Sequence, residues 1–327
     1  MTFMTRQYLI SIEKKTMNFN LNKEVQVSET EQFKIFVEEF DKNIDFLDEF
    51  TTLIKWNSRI ISFRTDKNSY FIDTNLIDNS IQTLRSIKLC CSIGSFSDSN
   101  TLIRRLRDDL LLYIFILDIT NQRKTFLDED IKNLNFENPE SFVKTFSKIH
   151  FNPNLTDNEK AVDAWLGNRV QELPRNIKMK LSFENYMKFL KQNENISRIL
   201  IDYNLNSYWN ELTKRLNNYV HNNGREFTNH NLIKHNDKIL KTFLKNVNIR
   251  TSYITSFFIV LISMVESALM CSTDTIDHLD CGIEPPEDSQ YEIAPFIQTF
   301  IDEKVAKLHP ELKQYLINNN NYGMKIK

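Results

Sequence analysis

Glycine and proline are both scarce in this chain, and their scarcity limits the folds that it can adopt. Glycine accounts for 5 of the 327 residues and proline for 7, whereas about 7% glycine is usual in globular proteins. Tight hairpin turns and phosphate-binding loops need glycine at positions of positive φ. The motifs GxGxxG, GxxxxGK[ST], GxSxG and HExxH are all missing. The sequence therefore predicts an all-α multi-helix bundle and argues against Rossmann folds, P-loop folds and zinc peptidases.

Cysteine motifs and targeting segments are also missing. The four cysteines show no CxxC spacing, so we expect reduced thiols in a cytoplasmic protein. The N-terminus lacks the apolar core of a signal peptide. The most apolar run, Tyr253–Val265, is shorter than the ~20 residues that cross a bilayer. We therefore expect this run to be a buried core helix, and we expect no contact with a membrane.

Apolar residues at helical spacing predict most of the chain to be helical. The predicted helices cover about 33–47, 74–93, 100–119, 157–173, 182–193, 195–203, 205–222, 232–270 and 292–308. Residues 110–117 are apolar on all sides, which predicts a central helix. The polar stretch 121–155, interrupted by Pro139 and Pro153, is predicted to be a connection. These patterns divide the chain into a helical region, 1–155, and a helical bundle, 156–327, or make it one continuous domain.

The helix predicted over 205–222 ends in a cluster of polar residues. Its apolar positions form one stripe, and Gly224 is expected to end it in a left-handed conformation. Arg215 and His221 are six residues apart, which places them about 120° apart around the helix axis. Three amides lie at the same end of this helix: Asn217, Asn218 and Asn222. Arginine suits phosphate oxygens and histidine can transfer a proton near neutral pH, so this end is our candidate site for phosphate-ester chemistry.

Charge is unevenly distributed, although the formal net charge is only −2. Residues 211–250 carry eight Lys or Arg and three acidic residues, whereas residues 271–292 carry seven acidic residues and no Lys or Arg. The basic segment favours a polyanionic partner such as RNA. The residues expected to contact RNA are Lys214, Arg225, Lys234, Lys238, Arg104 and Arg105. The alternative is an ordinary solvated surface, with the arginines near 104 paired to Asp108 and Asp109.

The motif Arg-x5-His at the end of a helix in an all-α chain resembles the Arg-x4–6-His motif of the HEPN superfamily (higher eukaryotes and prokaryotes nucleotide-binding domains). The resemblance covers roughly residues 180–270. It implies a helical bundle that forms a homodimer and cleaves RNA without a metal, in a toxin–antitoxin, abortive-infection or other anti-phage system. Arg215 and His221 would then be catalytic, with Asn217 or Asn218 in a supporting role, and an antitoxin or defence protein would be the partner.

Two positions depart from the family pattern. Many members carry a polar residue directly after the arginine, where this chain has Leu216. Members that a nucleotidyltransferase silences carry a tyrosine two residues after the histidine, where this chain has Asn223. The histidines at 221, 230 and 235 match no zinc motif, so no metal or cofactor is expected.

The alternative to an enzyme is a non-catalytic helical module that senses or scaffolds a protein or nucleic-acid partner. In that case His221 would bond a terminal carbonyl of its helix, and Arg215 would form a surface ion pair with Glu211. An enzyme would instead leave both side chains open to a basic cleft. The acidic segment 271–292 is a candidate cover for such a cleft.

Overall fold

A computed structural model of the chain describes residues 26–56, 60–135, 137–231, 237–272, 275, 277–278, 281–284, 293–308, 310–319 and 326. Most of the acidic segment 271–292, together with Lys234 and His235, lies outside the described residues.

The fold is all-α, as the sequence predicts. The helices are α1 Glu31–Trp56, α2 Asn75–Ser92, α3 Phe96–Gln122, α4 Asp128–Lys132, α5 Pro139–Phe146, α6 Asp157–Leu166, α7 Arg175–Lys178, α8 Phe183–Leu190, α9 Glu194–Asp202, α10 Leu205–Val220, α11 Arg225–Asn229, α12 Asp237–Val265, α13 Pro295–Phe300, α14 Ala306–Leu308 and α15 Pro310–Asn319. A π-helical turn, Ile301–Val305, joins α13 to α14. Short 3₁₀ helices precede α1, follow α6 and follow α12.

Helices α3 and α12 form the centre of the fold. Every residue from Leu110 to Ile119 is buried, which confirms the prediction of a central helix from the uniformly apolar run. Helix α3 packs against α2, α10, α12 and α8, and α12 packs against α1 as well as α3. One hydrophobic core therefore includes residues from both sides of the 155/156 boundary.

Helix α12 contains the apolar run Tyr253–Val265, and every residue of that run is buried. The helix is long and apolar enough to cross a membrane by length and composition alone, and 89% of its most apolar 18-residue window is buried inside the fold. Burial of this kind is also found in the core helices of soluble proteins.

A two-stranded antiparallel hairpin lies within the stretch between α1 and α2. Strands β1 Ser62–Arg64 and β2 Ser69–Phe71 place Phe63 opposite Tyr70. The turn forms without glycine because the Thr65 hydroxyl accepts hydrogen bonds from the backbone N–H groups of Lys67 and Asn68. The Asn68 side chain in turn donates to Asp163 of α6 at 3.1 Å.

Helix α6 ends earlier than the sequence predicts. A capping box at Thr156 and Glu159 starts it, but it stops at Leu166 and not near residue 173. Gly167 is its C-cap, and Asn168 follows with a φ of 56°. An asparagine tolerates this left-handed conformation. The prediction was wrong here because it took Pro174 as the stop.

Candidate functional site

Helix α10 carries the predicted site and owes its position to one buried stripe. Its buried residues recur at spacings of three and four: Leu205, Trp209, Leu212, Leu216 and Tyr219. A buried polar contact fixes the same helix to α3. The Arg107 guanidinium donates to Thr213 Oγ1 at 2.9 Å and to Asp108 Oδ1 at 2.6 Å. It also lies 3.7 Å from the centroid of the Phe183 ring, which adds a cation–π contact.

The end of α10 differs in detail from the prediction. The helix ends at Val220 and His221 is its C-cap. Asn222 has a φ of 48° and is therefore the left-handed residue after the cap, a role that the sequence analysis assigned to Gly224. Gly224 has a φ of 150°, which glycine adopts more readily than other residues. Two amide residues, Asn222 and Asn223, thus lie between the cap and the glycine.

Arg215 and His221 are both exposed. Neither side chain forms a hydrogen bond or an ion pair with any residue that the structure describes. In particular, no Arg215–Glu211 ion pair forms, although the non-catalytic alternative expected one. The backbone N–H of His221 donates to Asn217 at 3.0 Å, and its imidazole bonds no terminal carbonyl of the described chain. Both side chains are open to solvent.

The three supporting amides have different environments. Asn217 is half-buried, and its side-chain oxygen is buried without a hydrogen-bond partner in the described part of the chain. Asn218 accepts a bond from the Asn223 amide at 3.4 Å, and Asn222 is exposed. A buried acceptor without a partner is unfavourable, and the Asn217 oxygen is not open to solvent.

The cations predicted to contact RNA fall into two groups. Lys214, Arg225 and Lys238 are exposed and form no ion pair with the residues that the structure describes. Arg104 and Arg105 are paired along α3, each 3.6 Å from an aspartate four residues later. The ion pairs of the alternative interpretation therefore do form at Arg104 and Arg105. The unpaired charge lies on α10, α11 and the start of α12.

The start of α3 holds the chain that follows α10. The Ser97 hydroxyl donates to the carbonyl of Phe227, and the Ser97 backbone N–H donates to the Asn231 side chain at 2.7 Å. Asn231 also donates to Asp98 at 3.0 Å. These bonds fix segment 225–231 beside the C-terminal end of α10.

The buried side chain of Arg250 is the centre of a polar cluster that the sequence did not predict. The Arg250 guanidinium, on α12, donates to the side-chain oxygen of Asn100 on α3 and lies within hydrogen-bonding reach of the Tyr219 hydroxyl. That hydroxyl is also 3.0 Å from Nδ1 of His230. The His230 ring packs against Phe243, with ring centroids 4.7 Å apart.

Arg250 and Arg215 are close enough to affect each other electrostatically. Burial lowers the pKa of the Arg250 guanidinium; Tyr219 opposes this effect and the positive charge of Arg215 adds to it. Arg215 therefore lies on the exposed side of this polar cluster, and Arg250 lies on its buried side. The sequence does contain a signal for Arg250: it follows Leu240, Leu244 and Val247 on the buried stripe of α12, where an arginine is unusual.

Within the described residues, no group of three or more His, Cys, Asp or Glu side chains is placed to hold a metal ion.

Comparisons of the chain with protein-family models, with curated proteins and with solved structures find no match. The resemblance to HEPN proteins therefore rests on the Arg215–His221 motif and its position at the end of a helix. The activity that the motif implies is a proposal.

Proposed function

We propose that this protein is a metal-independent endoribonuclease of HEPN type that acts in bacterial anti-phage defence or as a toxin. The observation that carries the proposal is that Arg215 and His221 are both exposed and unpaired among the described residues. Arg215 lies on α10 and His221 is its C-cap, and the exposed cations Lys214, Arg225 and Lys238 lie on α10, α11 and the first turn of α12. The non-catalytic alternative predicted a bond from His221 to a helix carbonyl and a pair between Arg215 and Glu211, and neither contact forms among the described residues.

The proposed reaction needs only the substrate and these side chains. His221 removes the proton from a 2′-hydroxyl, and the 2′-oxygen attacks the adjacent phosphorus. The bond from phosphorus to the 5′-oxygen breaks, and that oxygen takes up a proton. The products are a 2′,3′-cyclic phosphate and a 5′-hydroxyl end. Arg215 stabilises the extra negative charge on the phosphorane through its guanidinium donors.

The separation of the two residues favours a homodimer. Six residues of helix correspond to a rise of about 9 Å and a turn that leaves the side chains about 120° apart. Arg215 and His221 of one protomer therefore leave the helix in different directions. Two copies of this helix end meeting across a two-fold axis would bring each Arg215 to the other copy's His221. A second histidine would also supply the proton for the departing 5′-oxygen.

The test is cleavage of a mixed-sequence RNA in the presence of EDTA. Wild type is compared with His221→Ala and Arg215→Ala. His150→Ala and Arg198→Ala, which change exposed residues elsewhere, are matched controls. We expect wild type and both controls to cut, and we expect at least a 100-fold loss in the two site variants, the lower range for removing a general acid–base group.

Two results would contradict the proposal. One is cleavage that persists in both site variants, since the activity would then come from elsewhere or from a contaminant. The other is RNA binding by wild type without cleavage, alone and with lysate from phage-infected cells. That result would support the non-catalytic sensor or scaffold.

A further inference from the structure

Four cationic side chains are buried in the described part of the chain, and one of them differs from the rest. Three have a carboxylate partner at 3.2 Å or less, in the pairs Arg107–Asp108, Arg123–Glu159 and Lys304–Glu39. The fourth, Arg250, is 7% exposed and forms no ion pair with any described carboxylate. This fold therefore neutralises its buried cations locally, with Arg250 as the exception.

The groups around Arg250 do not supply the missing negative charge. Asn100 and Tyr219 are neutral, and the charged side chain that acts on Arg250, that of Arg215, is positive. A guanidinium keeps its proton under all ordinary conditions. Burying it without a counter-charge is unfavourable. Among the residues that the structure describes, the Arg215–Arg250 pair is therefore short of an anion.

We propose that Arg250 and Arg215 form a subsite for a phosphate group, and that the phosphate is one of the RNA backbone. This identification rests on the proposed function. A guanidinium presents a planar fork of donors that matches two phosphate oxygens. Arg215 reaches the phosphate from the exposed side, while Arg250 holds it from the buried side. The subsite fixes the register of the RNA on α10, and His221 carries out the proton transfer.

Inorganic phosphate is the first probe, because it tests the subsite without any cleavage. The thermal midpoint of the full chain is measured with rising phosphate, against chloride at equal ionic strength. We expect phosphate to raise the midpoint of wild type by several degrees at saturation. We expect no specific increase in Arg250→Gln or in Arg215→Gln. Arg198→Gln, which changes an exposed arginine paired with Glu194, should respond as wild type does.

The stability of Arg250→Gln without phosphate also shows whether Arg250 serves to bind a ligand or to stabilise the fold. If phosphate completes the site, removing the charge leaves the phosphate-free protein as stable as wild type or more stable. Arg107→Gln, at a neutralised buried arginine, should lower the midpoint with or without phosphate. The subsite is wrong if Arg250→Gln is destabilised as Arg107→Gln is and phosphate raises no midpoint. If Arg250→Gln fails to fold, Arg215→Gln decides, because its side chain is exposed.

Cleavage assays distinguish this inference from the proposed function. Phosphate binding lost in both variants, with no RNA cleavage by wild type, would retain the anion subsite and reject the nuclease. Cleavage by wild type that is unchanged in Arg250→Gln would retain the nuclease and reject the subsite. A non-cleavable 2′-O-methyl oligonucleotide that displaces phosphate from wild type would identify the RNA backbone as the source. Failure to displace it would reject that assignment.

Discussion

The guanidinium of Arg107 lies 2.9 Å from Thr213 Oγ1, and this bond joins the central helix α3 to the helix that carries Arg215 and His221. Its second partner is Asp108, the next residue in the chain, which also pairs with Arg104 one turn earlier. One carboxylate thus meets a buried arginine and a partly exposed one. Substituting each arginine in turn therefore compares a buried and a partly exposed ion pair to the same carboxylate, that of Asp108.

Arg107→Gln is expected to lower the free energy of unfolding by about 2 kcal/mol, because it removes a buried guanidinium that bonds Thr213 and the partly exposed Asp108, and it leaves Thr213 unpaired. Arg104→Gln is the matched control. Its pair with Asp108 is i,i+4 and partly exposed, so the loss should be about 0.3–0.5 kcal/mol. Urea denaturation followed by circular dichroism measures both values. Equal losses in the two variants would show that burial of Arg107 contributes nothing to stability.

We expect Asp118 to lower the stability of the fold as the pH rises, whereas most carboxylates contribute stability as the pH rises. The side chain is buried on α3, and one of its oxygens has no partner in the described part of the fold. Burial raises the pKa of Asp118 from 3.8 to about 6, although a hydrogen bond from Gln122 opposes the rise. Between these pH values the folded chain binds more protons than the unfolded chain. The stability associated with Asp118 is therefore lost as the pH rises through about 6.

The corresponding variant is Asp118→Asn, which cannot ionise. The free energy of unfolding of this variant minus that of wild type should increase by about 2 kcal/mol between pH 4 and pH 7. Urea titrations at pH 4, 5, 6 and 7 measure this difference. Asp66→Asn, at an exposed site, should show no such trend. A constant difference for Asp118→Asn would mean that the folded carboxyl ionises normally.

The unpaired cations of the basic segment should dominate the salt dependence of RNA binding. Each cation that neutralises one phosphate of a single strand contributes about 0.7 to the slope of log K against log salt. Lys238→Ala and Arg225→Ala should each reduce the slope by about that amount. Arg105→Ala should change it less, because Arg105 is already paired with Asp109. Fluorescence anisotropy with 2′-O-methyl RNA from 50 to 300 mM salt measures these slopes. An equal change of slope in all three variants would contradict the division into unpaired and paired cations.

The sequence predicted the features of the fold that depend on local patterns. Periodic apolar residues and the scarcity of glycine predicted an all-α bundle, and residues 110–117 predicted its central helix. The second helix was expected to end near residue 93, and Gly94 has a φ of 79° just after α2 ends. Each of these signals lies within one helix or one turn, so the sequence alone carries it.

The features that the sequence did not predict depend on residues far apart in the chain. Arg250 appeared only as one of eight basic residues in its segment, because its burial depends on α3 and α10 as well as on its own helix. The exact helix ends were missed where asparagine replaced glycine, as at Asn168 and Asn222. The exposure of Arg215 and His221 matches neither feature of the non-catalytic alternative, but their convergence in a dimer stays a prediction.

The bond between Asn100 and Arg250 has a consequence for the order in which the molecule is made. These two residues are 150 positions apart, and Arg107 and Thr213 are 106 apart. A ribosome adds residues at roughly 5–20 per second, so about 8 to 30 seconds separate the synthesis of Asn100 from that of Arg250. Until then α3 lacks α12, one of the helices that cover it. The group around Arg250 therefore cannot assemble before about three quarters of the chain has been made, and a nascent chain that ends earlier lacks it.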